Sequence, residues 1–267
     1  MSDSSNEAET LDTGTEELLC ALKNRVATIT LNRPEKRNAL SDNLTPALRS
    51  MLLHLDTRSD VGCVVITGAG TAFCAGGDVS GMGSNRSDAQ LSNPVAESAP
   101  PSREDQIREL QVKQATLTLR LHELSKPTIV ALPGAAAGAG LSIALACDIR
   151  IAAESAFITT AFRNVGLSGD YGCSWFMTRL AGPAMAKELF LSSRRVSATE
   201  CVSLGLVNRV VPFDELASQA RACGTDRSRS RARPAIYERE SESRTNSRSQ
   251  DLPGSRGRSI GAIVEFS

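Results

Sequence analysis

The sequence predicts an α/β protein built around buried parallel strands. Two short apolar runs, residues 61–68 and 128–132, are rich in β-branched residues, and each is followed by a turn that contains glycine. Apolar residues also recur at helical spacing within residues 44–52 and 104–126. With 267 residues, the chain is long enough for one large domain, alone or with a smaller appendage.

Composition excludes several classes of protein. Lys plus Arg equals Asp plus Glu, 30 against 30, so no net field favours nucleic acid or an anionic membrane. Seven scattered cysteines without a CxxC spacing, together with two histidines, predict reduced thiols in a cytoplasmic protein and no structural zinc. Residues 127–147 carry no charge before Asp148, but Pro133 and several glycines interrupt them, which favours a buried strand, turn and helix over a membrane span.

The chain is predicted to begin with a disordered acidic tail over residues 1–16, which has neither the basic start nor the apolar core of a signal peptide. Residues 18–31 alternate in the manner of a hairpin at a sheet edge. Ser41 is predicted to cap a helix whose apolar positions are Leu44, Leu48, Met51 and Leu52. Before that helix, the basic cluster Arg33, Lys36 and Arg37 has two interpretations, a phosphate contact or a solvated loop.

Two turns hold the candidate chemistry. The first, Ala75-Gly76-Gly77, follows strand 61–68 at its carboxyl end, where α/β sheets place ligands. Free backbone N–H groups at such a turn can bind an anion or a developing oxyanion, although a Gly-Gly turn alone is also an ordinary connection. The second follows strand 128–132, where Gly138, Ala139 and Gly140 open a helix that is apolar on every side and is therefore buried.

Between these turns, residues 81–102 are rich in Gly, Ser, Asn and Pro and predict a loop that covers a site. Residues 104–126 then predict an amphipathic helix. Its core-facing positions are Ile107, Leu110, Leu117, Leu121 and Leu124.

Five motifs, in order, resemble the crotonase superfamily, also called the enoyl-CoA hydratase/isomerase family. They are NRPEKRNAL (32–40), AFCAGGD (72–78), PGAAAGAGLSIALACD (133–148), FRNVGLSGDYGCSWFMTRLAG (162–182) and AKELFLSSRRVSATECVSLGLVNRVV (186–211). The resemblance implies a spiral of ββα repeats with a C-terminal helical region. It also implies an acyl-CoA-binding domain over residues 17–222, assembled as a homotrimer or hexamer.

The same resemblance implies roles for individual residues. The N–H groups of Gly77 and Ala139 match the two donors of an oxyanion hole that stabilises a thioester enolate in fatty-acid or related acyl-CoA metabolism. Coenzyme A enters as part of the substrate, with no tightly bound cofactor and no metal. Its contacts would come from Lys36, Arg37, Ala39, Ala75, Gly76, Asp78 and Val79.

The chain also departs from the family pattern. The two glutamates of the hydratases align with Ser142 and Phe162, neither of which is a carboxylate. Asp170 matches an aspartate that other branches use as acid, base or nucleophile, and its alternative interpretation is a helix cap. The sequence therefore leaves two functions open: an enzyme of the hydratase/isomerase type, or a CoA-binding member that is catalytically impaired.

Residues 223–267 form an atypical segment, rich in Arg and Ser, where the family has long amphipathic helices. It is interpreted either as a disordered polar tail or as the product of a shifted reading frame. A nucleic-acid-binding arm is disfavoured because acidic residues dilute its charge. The expected partner is thus an acyl-CoA, with no nucleic acid and no membrane.

Overall fold

A seven-stranded sheet forms the centre of the fold. The computed structural model describes residues 7–78 and 102–228, excluding the side chain of Arg227. The strands are β1 Glu9–Leu11, β2 Leu18–Lys23, β3 Val26–Leu31, β4 Cys63–Gly68, β5 Ala72–Cys74, β6 Thr128–Leu132, β7 Ala135–Ala137, β8 Ile149–Ala153, β9 Phe157–Thr159, β10 Val196–Ser197 and β11 Arg209–Val211. The helices are α1 Leu44–Thr57, α2 Arg103–Gln114, α3 Arg120–Glu123, α4 Gly138–Ala146, α5 Cys173–Ser192, α6 Ala198–Ser203 and α7 Phe213–Ser228.

The large sheet has the strand order β1-β2-β3-β4-β6-β8-β11. β1, β2 and β3 pair antiparallel, which confirms the predicted hairpin, and from β3 to β11 all neighbours are parallel. A second sheet has the order β10-β9-β7-β5, with β5, β7 and β9 parallel. Parallel strands need crossover connections, and these connections supply the helices.

One unit recurs along the chain: a strand of the large sheet, a short strand of the second sheet, then a helix. β6, β7 and α4 form one such unit, and β8, β9 and α5 form another. β4 and β5 begin a third in the same way. The predicted spiral of ββα repeats is therefore confirmed, and each repeat delivers a short strand and a turn to the same small sheet.

The two faces of the large sheet pack differently. One face carries the main core, which includes α1, the whole of α4 and part of α5. α1 begins at Leu44 with Asn43 as its N-cap residue, which forms no side-chain capping hydrogen bond. The predicted cap, Ser41, lies two residues earlier, and its Oγ accepts a hydrogen bond from Leu44 N–H at 3.0 Å. α5 bends at Gly182, whose φ is 80°, with Pro183 next in the chain. No helix in the described ranges is long and apolar enough to cross a membrane.

The opposite face is covered by α7, which continues beyond residue 222. Leu216 and Ala220 pack against strand residues of this face. Gly224 lies on the same face of α7, because a Cβ there would lie 3.1 Å from Cγ1 of Val26. The helix ends at Ser228, so residues 223–228 of the Arg/Ser-rich segment are helical. Residues 229–267 lie outside the described part of the chain.

Ordered structure also begins before residue 17. β1 lies inside the segment predicted to be a disordered tail, so that prediction is wrong for residues 9–11. Leu11 is buried in the main core, and Glu9 forms an ion pair with Arg58 at 3.0 Å. A three-residue strand of this kind is held by its partners rather than by its own composition.

The helix predicted over residues 104–126 divides into α2, a five-residue π-helix at Ala115–Leu119, and α3. Leu117, Leu121 and Leu124 are buried as expected, whereas Ile107 is 48% exposed and Leu110 is 42% exposed. The wider π turn rotates one half of the helix relative to the other. A single apolar stripe therefore does not run along its whole length.

Candidate active site

Two glycine-rich turns meet at the end of the second sheet. β5 and β7 are parallel neighbours, with Ala72 opposite Ala135 and Cys74 opposite Ala136. The turn after β5 and the start of α4 after β7 are consequently side by side. Gly76 has φ 97°, and a Cβ on it would lie 3.0 Å from the carbonyl oxygen of Ala137 and 3.6 Å from the nitrogen of Ala139. Glycine allows this approach because it tolerates positive φ and has no side chain.

The N–H groups of Gly77 and Ala139 are available at these turns. Leu40 N–H donates to Gly76 O at 2.8 Å, and Asp78 N–H donates to Leu40 O at 3.1 Å. Successive N–H groups of extended backbone alternate in direction, so the N–H of Gly77 points away from Leu40. Ala139 lies in the first turn of α4, where N–H groups have no intrahelical acceptor. Neither N–H has a protein acceptor among the described residues.

Close packing of α4 on β5 holds the two turns together. Gly140 faces Cys74, and a Cβ at Gly140 would lie 2.6 Å from both the Cβ and the carbonyl oxygen of Cys74. No larger residue fits there without moving the helix. The spacing of Gly138, Ala139 and Gly140 thus combines a free helix start with direct contact to the neighbouring strand.

A buried asparagine organises the loop that precedes α1. Asn38 is fully buried, and its Nδ2 donates to the carbonyl oxygens of Ala69 and Ala72 at 2.9 and 2.8 Å. Its Oδ1 accepts from Arg33 N–H at 2.8 Å. The loop at residues 33–40 is thereby fixed against the segment that leads into β5. Asn38 was not predicted as a site residue, and the signal in the sequence is an asparagine between a charged loop and an apolar helix.

The residues predicted to contact coenzyme A are grouped along these two segments. Lys36 and Arg37 are exposed, and Ala39 is buried beside them. Arg37 contributes its carbonyl oxygen, which accepts from Ala75 N–H at 3.0 Å. Ala75 and Gly77 are exposed, whereas Gly76 is buried. Val79 lies outside the described residues.

The predicted basic cluster is divided in the structure. Arg33 Nη2 forms an ion pair with Asp78 at 3.2 Å, and its Nε lies 3.5 Å from Glu17. Its Nη1 also donates to the carbonyl oxygen of Ala39 at 2.7 Å. These contacts of Arg33 therefore stabilise the loop. Lys36 and Arg37 keep the exposure that a phosphate contact requires.

Asp170 lies against the first half of α4. Its carbonyl oxygen accepts from Ser142 Oγ at 3.2 Å and from Cys173 N–H at 3.0 Å. Its side-chain Oδ1 is buried and has no partner among the described residues. Burial raises the pKa of this carboxyl group from 3.8 to about 6. The alternative role as a helix cap is not observed, since α5 is capped by Gly172 without a side-chain hydrogen bond.

The two positions that the family resemblance assigns to the hydratase glutamates are packed into the protein. Ser142 is fully buried, and its single hydroxyl proton is shared between the carbonyl oxygens of Gly138, at 3.3 Å, and Asp170. Phe162 is buried, and its ring stacks on Phe190 with centroids 6.0 Å apart. Ser142 links the start of α4 to Asp170. Neither residue supplies a carboxylate.

Tyr171 and Arg49 join this region and were not predicted from the sequence. Tyr171 is buried and has φ 48°, a left-handed conformation that costs a bulky residue about 1 kcal/mol. Its hydroxyl accepts a hydrogen bond from Arg49 Nη2 at 3.3 Å. Arg49 and Tyr171 are too far apart in the chain for a local sequence pattern to predict their contact.

Comparisons with known proteins indicate a single family. Residues 21–233 match the enoyl-CoA hydratase/isomerase family model. The chain is 36% identical over 204 residues to the 1,2-epoxyphenylacetyl-CoA isomerase of Escherichia coli, covering 76% of this chain and 73% of that protein. It is 35% identical over 207 residues to the probable enoyl-CoA hydratase EchA14 of Mycobacterium tuberculosis, covering 78% and 74%.

A solved structure of an enoyl-CoA hydratase from Polaromonas sp. JS666 superposes with a TM-score of 0.73. It is 33% identical, and the match covers 87% of this chain and 86% of that one. A family model that spans most of the chain, curated relatives above 30% identity and a matching fold all indicate one conclusion. The chain belongs to the enoyl-CoA hydratase/isomerase family of the crotonase superfamily.

Proposed function

We propose that this protein is an acyl-CoA enzyme that binds the thioester carbonyl between the N–H groups of Gly77 and Ala139. The observation that carries the proposal is the pair of adjacent turns, each with a backbone donor that has no acceptor among the described residues. When a proton leaves the carbon next to the thioester, negative charge develops on the carbonyl oxygen. Two fixed donors stabilise that charge, and each is worth about 3 kcal/mol in comparable sites.

Asp170 is the proposed proton carrier. In its ionised form the carboxylate removes a proton from the acyl chain, and the resulting acid returns the proton to a different carbon. A pKa near 6 suits both steps, because the group ionises below neutral pH yet remains a competent acid. With Ser142 and Phe162 at the glutamate positions, double-bond isomerisation fits this site better than hydration by two glutamates.

Coenzyme A is proposed to lie along the segments that flank the donors. Lys36 and Arg37 would meet its phosphates, and Ala39 would lie beside them. The turn from Ala75 and Gly76 through Asp78 and Val79 would line the pantetheine. We also propose that the chain assembles as a trimer or hexamer, as the family resemblance implies. Its proposed role is in fatty-acid or related acyl-CoA metabolism.

A second candidate is a member that binds acyl-CoA without turnover. The burial of Ser142 and Phe162 at the glutamate positions favours it, since no second carboxylate replaces them. This candidate and the isomerase share the same binding site. They differ only in whether Asp170 transfers a proton.

The distinguishing experiment combines a binding titration with a turnover assay. We expect the melting temperature to rise with the logarithm of acyl-CoA concentration, because the ligand binds only the folded protein. We also expect 3-enoyl-CoA to be converted to 2-enoyl-CoA. In D₂O, we expect the acyl-chain proton that Asp170 removes to exchange with deuterium. Stabilisation without conversion or exchange would support the binding-only candidate. No stabilisation by any acyl-CoA would contradict both.

A further inference from the structure

Two buried side-chain atoms in the described residues lack a hydrogen-bond partner, and both belong to one neighbourhood. They are Oδ1 of Asp170 and Nε of Arg49. Tyr171 joins them, since it follows Asp170 in the chain and its hydroxyl receives a hydrogen bond from Arg49. An unpaired buried donor and an unpaired buried acceptor are each costly, so their occurrence around one tyrosine indicates a place built for a ligand.

Arg49 has the chemistry of an anion-binding residue. It lies on α1, and no carboxylate of the described residues is within ion-pair distance of it. Its only described side-chain contact with a polar group is the Tyr171 hydroxyl, at 3.3 Å. A guanidinium remains charged at all relevant pH values, and its planar edge matches a carboxylate with two parallel hydrogen bonds.

The surroundings of Tyr171 add positive charge. Burial raises the pKa of its phenol, the positive charge of Arg49 lowers it, the negative charge of Asp170 raises it, and the positive charge of Lys113 lowers it. Lys113 lies on α2, where it also pairs with Glu109. Arg49 is therefore the cation in hydrogen-bond contact with the Tyr171 hydroxyl, whereas the charge of Lys113 is partly balanced by Glu109.

The backbone of Tyr171 is the independent observation. A non-glycine residue with φ 48° is uncommon, and strain of this kind concentrates where a side chain must be aimed for function. Gly172, with φ 73°, follows directly. Together they turn the chain so that the tyrosine extends from the proton carrier towards Arg49.

We infer that Arg49 and Tyr171 select acyl-CoA substrates whose acyl chain ends in a carboxylate. Arg49 would bind the distal carboxylate, and Tyr171 would donate to it or hold the guanidinium in place. The inference rests on the proposed function, because it assumes that the thioester lies at Gly77 and Ala139 and that the acyl chain passes Asp170. It adds the class of acyl chain that this site accepts.

The test compares matched saturated ligands, which bind without reacting. Hexanoyl-CoA and adipoyl-CoA differ only in whether the last carbon is a methyl group or a carboxylate, and octanoyl-CoA and suberoyl-CoA form a longer pair. We expect the wild-type protein to bind the dicarboxylic member of at least one pair about tenfold more tightly. The Arg49→Met variant should reduce the ratio of the two affinities to about one. Tyr171→Phe should reduce that ratio about threefold, with Arg49→Lys in between.

The ratio is measured within each variant, so a general loss of folded protein cancels. An unchanged ratio in Arg49→Met, or a wild-type preference for the methyl-ended ligands, would overturn the inference. If both members of every pair bind equally and 3-enoyl-CoA is still converted, the inference fails and the proposed function stands. If no acyl-CoA binds, both fail.

Discussion

Replacing Asp170 by asparagine is expected to lower enoyl-CoA turnover about 1000-fold and to leave the affinity for a saturated acyl-CoA within about threefold. The amide has nearly the same shape as the carboxyl group but cannot accept the proton. In the proposed site, binding depends on the backbone donors and on the CoA contacts, which the substitution does not change. Single-turnover kinetics and a binding titration measure the two quantities separately.

The pH dependence gives this prediction a second readout. Because burial raises the pKa of Asp170 to about 6, the wild-type rate should rise as pH increases through 6 and then level off. The remaining activity of Asp170→Asn should not show this step. An exposed carboxylate on the loop before α1 provides the control, since Asp42→Asn should keep both the rate and the step. Unchanged turnover in Asp170→Asn would remove this residue from the mechanism.

Stability should change in the opposite sense to activity. The pKa of Asp170 is higher in the folded protein than in the unfolded chain, so its ionisation opposes folding. Its contribution to the free energy of unfolding therefore falls as pH rises from about 4 to about 6 and is constant above that range. Asp170→Asn removes this cost and should melt at an equal or higher temperature than wild type at neutral pH.

Replacing Gly140 by alanine is expected to lower turnover about 100-fold by moving one donor away from the other. The added methyl group would lie 2.6 Å from atoms of Cys74, and two of the three nearest atoms are Cβ and the backbone oxygen of β5. The side chain of Cys74 cannot rotate these atoms away, so α4 must shift. Ala139 moves with the helix, whereas Gly77 stays with β5. Overpacking of this kind also destabilises the fold by about 2 kcal/mol.

A destabilised variant without displacement is the matched control. Ile143→Val removes one methyl group from the same buried helix and should cost about 1 kcal/mol without pushing α4 from β5. Turnover by Ile143→Val at a temperature where the protein remains folded should stay within about threefold of wild type. Equal losses in the two variants would show that stability, rather than the position of Ala139, determines the rate.

Strong local signals were sufficient to predict the centre of the fold. Few alternative structures are open to the β-branched strands β4 and β6 or to the uniformly apolar α4, because their side chains must be buried on all sides. The two glycine-rich turns could be located for the same reason. Each directly follows such a strand, and parallel strands end at one edge of a sheet.

The elements that were missed depend on contacts between distant parts of the chain. β1 is too short to have a pattern of its own, and α7 faces the sheet with Ala220, Gly224 and Ser228, which are too small to form an apolar stripe. Because the π-helix interrupts the regular helical period, that period does not predict the exposure of Ile107. In the site, the sequence left the role of Arg33 open between a phosphate contact and a solvated loop, because its partners Glu17 and Asp78 lie elsewhere in the chain.

The vibrational frequency of the thioester carbonyl tests the central claim most directly. A saturated acyl-CoA labelled with ¹³C at that carbonyl can be followed by isotope-edited infrared difference spectroscopy as it binds. Two N–H donors at Gly77 and Ala139 would polarise the carbonyl, so its stretching band should move to lower frequency on binding and move back part of the way in Gly140→Ala. A bound ligand whose band stays at its position in water, or at higher frequency, would contradict the account.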